Sequence, residues 1–397
     1  MALPATPIVK INLAQGASFG PPFVLGTSQL GFAEFSSTPT NIVDISTSVV
    51  KIDTRKERNL LQDRYTAGQA TIRVVDPNGD WNPQNTASPL YPNLVPLRQV
   101  TVQANYSGTL YPIFAGYIAE YKYTYPKGQE TGFVDLICYD AFRLLFNSLI
   151  TTVTGQAAGQ DTGTRINKIL DTVQWPSAQR SIEIGDTTCQ ADPGTSRNAL
   201  EAIQTVEFTE QGAAYIDRAG QFVFKDRTFV YNAQSASPTK FNNNGTTDIN
   251  YSGITFAHDD KTIVNSCTVT RIGGTPQNYT DSTSQGQYFF HGVTATDMLM
   301  QTDANALSLA TAYVTTRKDT TIRIDSITLD LVTLGYTTGV QAALDLDYFD
   351  TMEITNFQQG STSIVKKLQC QGIAHSITPN TWFTTFVTQE ALLDVNY

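Results

Sequence analysis

Charge is scarce in this 397-residue sequence: Asp, Glu, Lys and Arg make up only 16% of it. Soluble domains usually carry roughly 25%. No run of like charge is long enough to form a charged tail. The balance is acidic, −10 overall with an isoelectric point near 4.8, which argues against nucleic acid as a bound partner, because phosphate binding needs clustered Lys and Arg. Cysteine is also rare. Cys138, Cys189, Cys267 and Cys370 lie far apart with no C-x-x-C among them, so neither a zinc site nor a disulfide framework is implied. Buried free thiols are expected, and Asn105-Tyr106-Ser107 carries no glycosylation meaning. No stretch reaches the roughly 18 apolar residues of a membrane-spanning helix. Residues 1–16 lack the basic start and continuous apolar segment of a signal peptide. The expectation is a soluble protein made in a cytoplasm, with no membrane-spanning segment.

Apolar residues make up 41%, and the length suffices for two or three domains with their own cores. Thr, Ser, Asn and Gln carry the polar surface. Such a surface is easier to bury against neighbours than one of Lys and Glu, so the composition leans towards a subunit of an assembly.

The stretch from Arg64 to Tyr106 organises the rest. Ala70 to Val75 has the Thr, Ile and Val content of a half-buried strand. Asp76-Pro77-Asn78-Gly79 then forces a turn, since Pro fixes φ and Asn-Gly supplies the positive-φ pair. A proline-rich crossing (Pro83, Pro89, Pro92, Pro96) leads to the alternating strand Gln99 to Gln103.

Before this stretch, Ile8 to Leu13 reads as a strand, and Ile45 to Arg58 as a strand leading into a charged turn of Arg55, Lys56, Glu57 and Arg58. After it, Pro112 to Ile118 runs into the alternation of Tyr121, Tyr123 and Tyr125. Lys127-Gly128 is a hairpin turn, and Phe133 to Cys138 returns. Asp140 ends that strand and can cap a helix in which Phe142, Leu145, Phe146 and Leu149 have the spacing of one apolar face, as do Ile166, Ile169, Leu170 and Val173 in a second. A third helix starts at Asn198 with Glu201 three residues on, as in a capping box, and turns Leu200, Ile203 and Val206 inward. Ala213 to Lys225 is a hairpin about Asp217-Arg218-Ala219-Gly220. Tyr231 to Asn250 reads as a loop or linker. Then come a strand from Asn265 to Arg271, a polar loop from Gly273 to Gln287, and a helix near 303–317. Strands Thr321 to Val332, Thr351 to Thr355, Lys366 to Ile373 and Trp382 to Thr388 close the chain.

Four motifs in order carry a resemblance. The first is the strand, D-x-N-G turn, W-N-P-x-N, S-P-L-Y and P-L-R-x-V-x-V of the central stretch. The second is N-A-L-E-A-I-Q before E-Q-G-A-A-Y-I-D-x-x-G-Q-F-V-F-K-D-R. The third is I-V-N-S-C-T-V-T-R-I-G-G-T, and the fourth Q-G-I-A-H-S-I-T-P-N-T-W-F-T-T-F. Together they resemble the minor tail proteins of long-tailed (siphovirus-like) bacteriophages, the baseplate-hub family of the tail tip. The resemblance implies a mainly β fold with an α+β insertion: two β-barrel, tail-tube-like domains and a small α/β domain. The expected division is residues 1–140, 141–235 and 236–397.

It further implies a homotrimer that closes the distal end of the tail tube, in a virion assembled in the host cytoplasm. Its partners would be the distal tail protein ring, the tape-measure protein and tail fibre or other tip proteins. DNA would pass only in transit through the lumen. The alternatives are a tail-associated cell-wall hydrolase and a glycan-binding receptor-recognition protein.

An internal echo accompanies this. Val100 to Val102, Gly116 to Ala119 and Pro126 match Met352 to Ile354, Gly372 to Ala374 and Pro379. The expectation is that residues near 45–140 and 262–390 form related barrels, with Gly116 and Gly372 at matching bends.

Chemistry finds little support. Gly16-Ala17-Ser18-Phe19-Gly20 matches G-x-S-x-G, but Pro21-Pro22 follows where a nucleophile elbow needs a helix. Asp76, Asn78 and Asp80 have calcium-loop spacing, yet Trp81 and Ala87 occupy the positions needing Gly and Glu. His258, His291 and His375 have no partner at ligand spacing, so His258-Asp259-Asp260 reads as a solvated turn. Glu207 with Glu210, or Asp345, Asp347 and Asp350, would need a defined separation across a cleft to act as a glycosidase pair. No catalytic, cofactor-binding or metal residue is expected, no cofactor is implied, and the chain reads as non-enzymatic.

Overall fold

The structure is a computed structural model that describes residues 2–13, 41–59, 64–125, 131–155, 157–232, 237–245, 248–335 and 338–390. The G-x-S-x-G motif, the Lys127-Gly128 turn and Pro126 lie outside the described residues. Among the described residues seven strands build the first barrel: β1 (Thr6–Asn12), β2 (Ile42–Asp44), β3 (Val49–Asn59), β4 (Gln69–Asp76), β5 (Arg98–Tyr106), β6 (Thr109–Thr124) and β7 (Gly132–Tyr139). Strict alternation sets their faces: on β4, Ala70, Ile72 and Val74 are buried while Gln69 and Arg73 face out. The spatial order is β3-β4-β7-β6-β5-β1-β2. One 3₁₀ turn, Ser46–Ser48, carries β2 at one edge directly into β3 at the other. Ile45 N–H donates to the Val9 carbonyl at 2.9 Å, and Val9 N–H to Ser46 Oγ at 2.9 Å. The sheet thus closes into a barrel, which removes its exposed edges.

A helical piece follows: α1 (Phe142–Asn147), α2 (Thr162–Thr172), β8 (Arg180–Ile182), α3 (Ala199–Glu210), β9 (Ala213–Ile216), β10 (Phe222–Lys225) and α4 (Arg227–Asn232). Asp161 and Asn198 cap α2 and α3, accepting from the main-chain N–H of Thr164 and Glu201. The expected apolar face of the first helix forms only in part, with Phe142 and Leu145 buried. Ser148 leaves the helical conformation, its hydroxyl bonded to the Leu144 carbonyl. Leu149 therefore falls outside the helix, and Phe146 and Leu149 are 61% and 78% exposed.

The stretch from Tyr231 to Asn250 is more than a loop. It contains β11 (Thr239–Asn242) and β12 (Ile249–Asn250), followed by β13 (Gly253–Ala257). Then β14 (Ser266–Arg271), β15 (Gln277–Thr280), α5 (Ser282–Tyr288), β16 (Gly292–Met298) and α6 (Asp303–Thr315) form a separate unit. Its three-stranded sheet, β15-β14-β16, has α6 packed on it. The polar loop expected from Gly273 to Gln287 holds β15 and α5, whose cap is Asp281. The chain ends with β17 (Arg323–Asp330), α7 (Leu331–Leu334), α8 (Thr338–Asp345), β18 (Thr351–Asn356), β19 (Ile364–Ile377) and β20 (Trp382–Glu390).

The second barrel runs β13-β17-β20-β19-β18-β11-β12, the order of the first barrel strand for strand. It also closes the same way. Tyr251 N–H bonds the Asn242 carbonyl, and Ser252 N–H the Thr328 carbonyl at 2.8 Å, so β12 at one edge runs straight into β13 at the other. Register agrees as well. Val9 faces Val102 as Phe241 faces Ile354, and Ile52 faces Ile72 as Ile254 faces Ile327. The ladder to the following strand shifts after Ile118 in β6 and after Cys370 in β19, the same place in both barrels.

This register corrects two details. Val100 and Met352 are equivalent, but Val100 faces Gly116 while Met352 faces Leu368. Gly116 thus matches Leu368, although both glycines do sit where a Cβ would clash, 2.4 Å from the Tyr139 carbonyl and 2.7 Å from Glu57 Cβ. Strand direction differs once, since β11 is parallel to β18 where β1 is antiparallel to β5. Residues 258–322, inside the echo as read from sequence, leave the barrel between β13 and β17. In the first barrel the proline-rich crossing buries Trp81, Leu90 and Leu94 between β4 and β5. In the second, α7 and α8 bury Leu331, Val340 and Leu344 at the corresponding point. The barrels join where β3 pairs antiparallel with β19, Ile52 facing Ile377 and Glu57 facing Gly372, and one apolar cluster runs through both.

Candidate functional site

The hairpin turn Asp217 to Gly220, which belongs to the second of the four sequence motifs, is where both barrels and the helical piece meet. Asp217 Oδ1 accepts from the N–H of Ala219 and Gln221 and holds the turn in shape. Gly220 has φ +93°, and a Cβ there would lie 3.1 Å from Ala115 of β6, so a residue without a side chain suits the contact. Lys56 reaches the turn from β3. Its buried ammonium donates to the carbonyls of Ile216 at 3.1 Å and Asp217 at 2.5 Å. Arg218 leaves the turn for the second barrel, donating to the carbonyls of Leu344 at 2.6 Å and Asp345 at 2.8 Å. Those carbonyls end α8, where a cation is favourable.

Burial dominates the electrostatics here. It pushes Lys56 below its ordinary range, against the opposing pull of Asp140 and Asp217. It pushes the Asp140 carboxyl up to about 6, partly offset by Lys56 and by the N–H groups of Gly68 and Phe142. Beside this cluster, Tyr65 packs on Tyr215 and Tyr348 with ring centres 5.1 and 4.7 Å away. Its hydroxyl meets Gln371 Oε1 at 3.1 Å. Gln371 sits at the β19 bulge, the kind of place where a strand re-aims a side chain. The arrangement locks three parts together, and where Arg218 reaches the end of α8, Asp345 and Asp350 line a cleft with Thr239, Thr338 and Gln341.

The residues weighed for chemistry are engaged elsewhere. Asp76 Oδ1 accepts the N–H of Asp80 at 2.7 Å, a turn-closing bond. Glu207 accepts from Ala214 N–H, and Glu210 from Thr162 Oγ1 and the N–H of Asp186 and Thr187. Both carboxylates are buried and tie loops to α3. Asp347 pairs with Arg218 at 3.3 Å, and Asp350 accepts the Asp347 N–H. His375 is buried against Thr384 and Trp382, its pKa lowered to about 3 by burial. His291 lies 3.8 Å from Asp260, while Asp259 is paired with Arg323. Among the described residues no group of three or more His, Cys, Asp or Glu could hold a metal ion. No helix among them is long and apolar enough to cross a membrane. All four cysteines are buried and free, and burial pushes Cys189 and Cys267 up to about 11. Sequence reasoning did not bring Lys56, Asp140 and Arg218 together, although Asp140 does accept the Phe142 N–H at 3.0 Å as a helix cap would. The signal available was a D-x-x-G turn carrying an arginine and a lysine inside an alternating strand.

No family model and no curated relative matches the chain by sequence. By structure it is similar to the tail protein from Neisseria meningitidis MC58, with a TM-score of 0.57 and 12% identity over 87% of this chain and 93% of that one. It is equally similar to the tail protein of prophage MuSo2 from Shewanella oneidensis, at 0.57 and 11% over 88% and 94%. The mainly β architecture of two barrels and a helical piece is therefore a tail-protein fold. A tail-protein fold is what the four motifs implied.

Proposed function

We propose that this chain is the structural hub of a phage tail tip: a homotrimer that closes the distal end of the tail tube, with no catalytic role. The carrying observation is the pair of barrels with one strand order and, the reversed β11 aside, matching register, joined within a single chain. A tail tube is built of sixfold rings, by the family resemblance, while its hub is a trimer. Three chains with two similar barrels each offer six nearly equivalent positions, and a closed ring is the symmetry oligomers favour. In this reading the first barrel, the helical piece near residues 141–235 and the second barrel are the three working units. The distal tail ring and the tape-measure protein meet the ring of barrels. Fibre or other tip proteins meet the remaining surface, in the virion at the distal end of the tail. Three chains of net charge −10 each would repel DNA phosphates, so DNA passes without sticking. Light scattering on the purified protein tests the trimer: three times the 43.5 kDa chain mass supports it, and a monomer at every concentration refutes it.

A further inference from the structure

The seam inside the chain specifies the seam between chains. In the second barrel, one edge of β19 pairs with β18 from Ile364 to Gln369 and then with β3 from Gly372 to Ile377. The equivalent edge of β6 pairs with β5 as far as Ile118, and beyond it, from Glu120 onward, no pairing is made on that side among the described residues. The equivalent of β3 is β13, which pairs with β17 alone. Each barrel therefore has both halves of the joint, and the chain uses only one of each. Alternation of the two barrels around a closed ring requires the unused halves to meet.

We propose that β13 of one copy pairs antiparallel with the outer part of β6 in the next copy, continuing one sheet around the ring; this rests on the trimeric reading above. The register follows from the internal seam, where Ile377 faces Ile52 and Ser376 faces Asp53. Carried over by the barrel equivalence, Tyr125 faces Ile254, Thr124 faces Thr255 and Tyr123 faces Phe256. Side-chain parity, which played no part in setting that register, agrees with it. Tyr123 is half-buried and packs on the apolar core, as do Ile254 and Phe256, whereas Thr124 and Thr255 face out. A slip of one residue would put core-facing aromatics opposite outward threonines. Tyr123 and Tyr125 stack with ring centres 6.0 Å apart, which gives the incoming Ile254 and Phe256 an apolar surface. The Thr328 carbonyl points to β13, where it accepts from Ser252 N–H, and Thr255 lies opposite Ser326, so Thr255 bonds inward to β17 while alternation turns the N–H groups of Ile254 and Phe256 outward to the free edge. The occupant is a second copy of this chain, because the internal joint is already the pattern for it.

The experiment is disulfide trapping in the full chain. T124C and T255C are combined in one protein, whose four native cysteines are buried and serve as the silent background. Mild oxidation is expected to give covalent dimers and trimers on a non-reducing gel, while T124C with G253C gives several-fold less. I254P, which removes an outward donor at an edge where proline is tolerated and leaves the Thr255 bond to β17 in place, is expected to leave the circular-dichroism spectrum unchanged and to abolish the trimer. Three outcomes overturn the pairing while leaving the trimeric reading intact. These are a native trimer without the cross-link, an I254P trimer as stable as the native one, and a disulfide confined to single chains. A native protein that is monomeric at every concentration overturns the trimeric reading itself, and the pairing with it.

Discussion

Lys56 on β3 donates to the main-chain carbonyl of Asp217 at 2.5 Å, joining the first barrel to the hairpin turn that also grips the second. Removing one member of a buried ionic group leaves the others without compensation, a loss of about 3–5 kcal/mol. Lys56→Met is expected to destabilise the protein on that scale, with Asp140 and Asp217 left facing apolar surroundings. Urea unfolding measures it. A change below about 1 kcal/mol, the range of an exposed pair, would show that the joint is not held by this charge.

Asp140 makes the joint sensitive to pH. Its carboxyl titrates near 6 in the folded chain against 3.8 when unfolded, so the folded state holds the proton more tightly. Its contribution to stability is complete below pH 3.8 and lost as pH rises through about 6. Asp140→Asn cannot ionise. Its urea midpoint should therefore vary less than that of the native protein between those two values, and an unchanged pH profile would contradict the assignment.

Two glycines should respond in opposite directions. A Cβ at Gly116 would meet the Tyr139 carbonyl at 2.4 Å, while at Gly286 in α5 nothing lies within 4 Å. Gly116→Ala is expected to destabilise by about 1–3 kcal/mol through overpacking. Gly286→Ala should stabilise by roughly 0.5–1 kcal/mol, since alanine restricts the unfolded chain and favours the helix. Thermal melts of the two variants settle the signs.

Glu210 is a structural acceptor, satisfied by Thr162 Oγ1 and the N–H of Asp186 and Thr187. Glu210→Ala should destabilise the protein by about 1–3 kcal/mol, because buried donors lose their partner. The native protein should release no peptidoglycan fragments in a wall-digestion assay. Activity that disappears with Glu210→Gln while the fold persists would establish the hydrolase alternative.

Much of the barrel framework was legible because alternation is a local signal. Ala70, Ile72 and Val74 announce β4 without any knowledge of the strands beside it. Asn198, with Glu201 three residues on, marked a helix start for the same reason. Other features depend on partners distant in sequence. Thr239 to Asn242 looks like a polar linker, and only its ladder with β18 makes it a strand. The Gly116 and Gly372 match failed because glycine reports a local clash, whereas equivalence is set by cross-strand register. Lys56 looked like part of a charged turn, since nothing in an alternating strand says which positively charged side chain will be buried by a turn arriving much later in the chain.

The most direct test of the account is an electron cryo-microscopy map of the assembled tail tip at a resolution that separates strands. The expected result is one ring with threefold symmetry in which the two barrels of each chain alternate, six barrels in all, with the helical pieces outside or below. A ring containing only one kind of barrel, or a single copy of the chain at the tip, would contradict it.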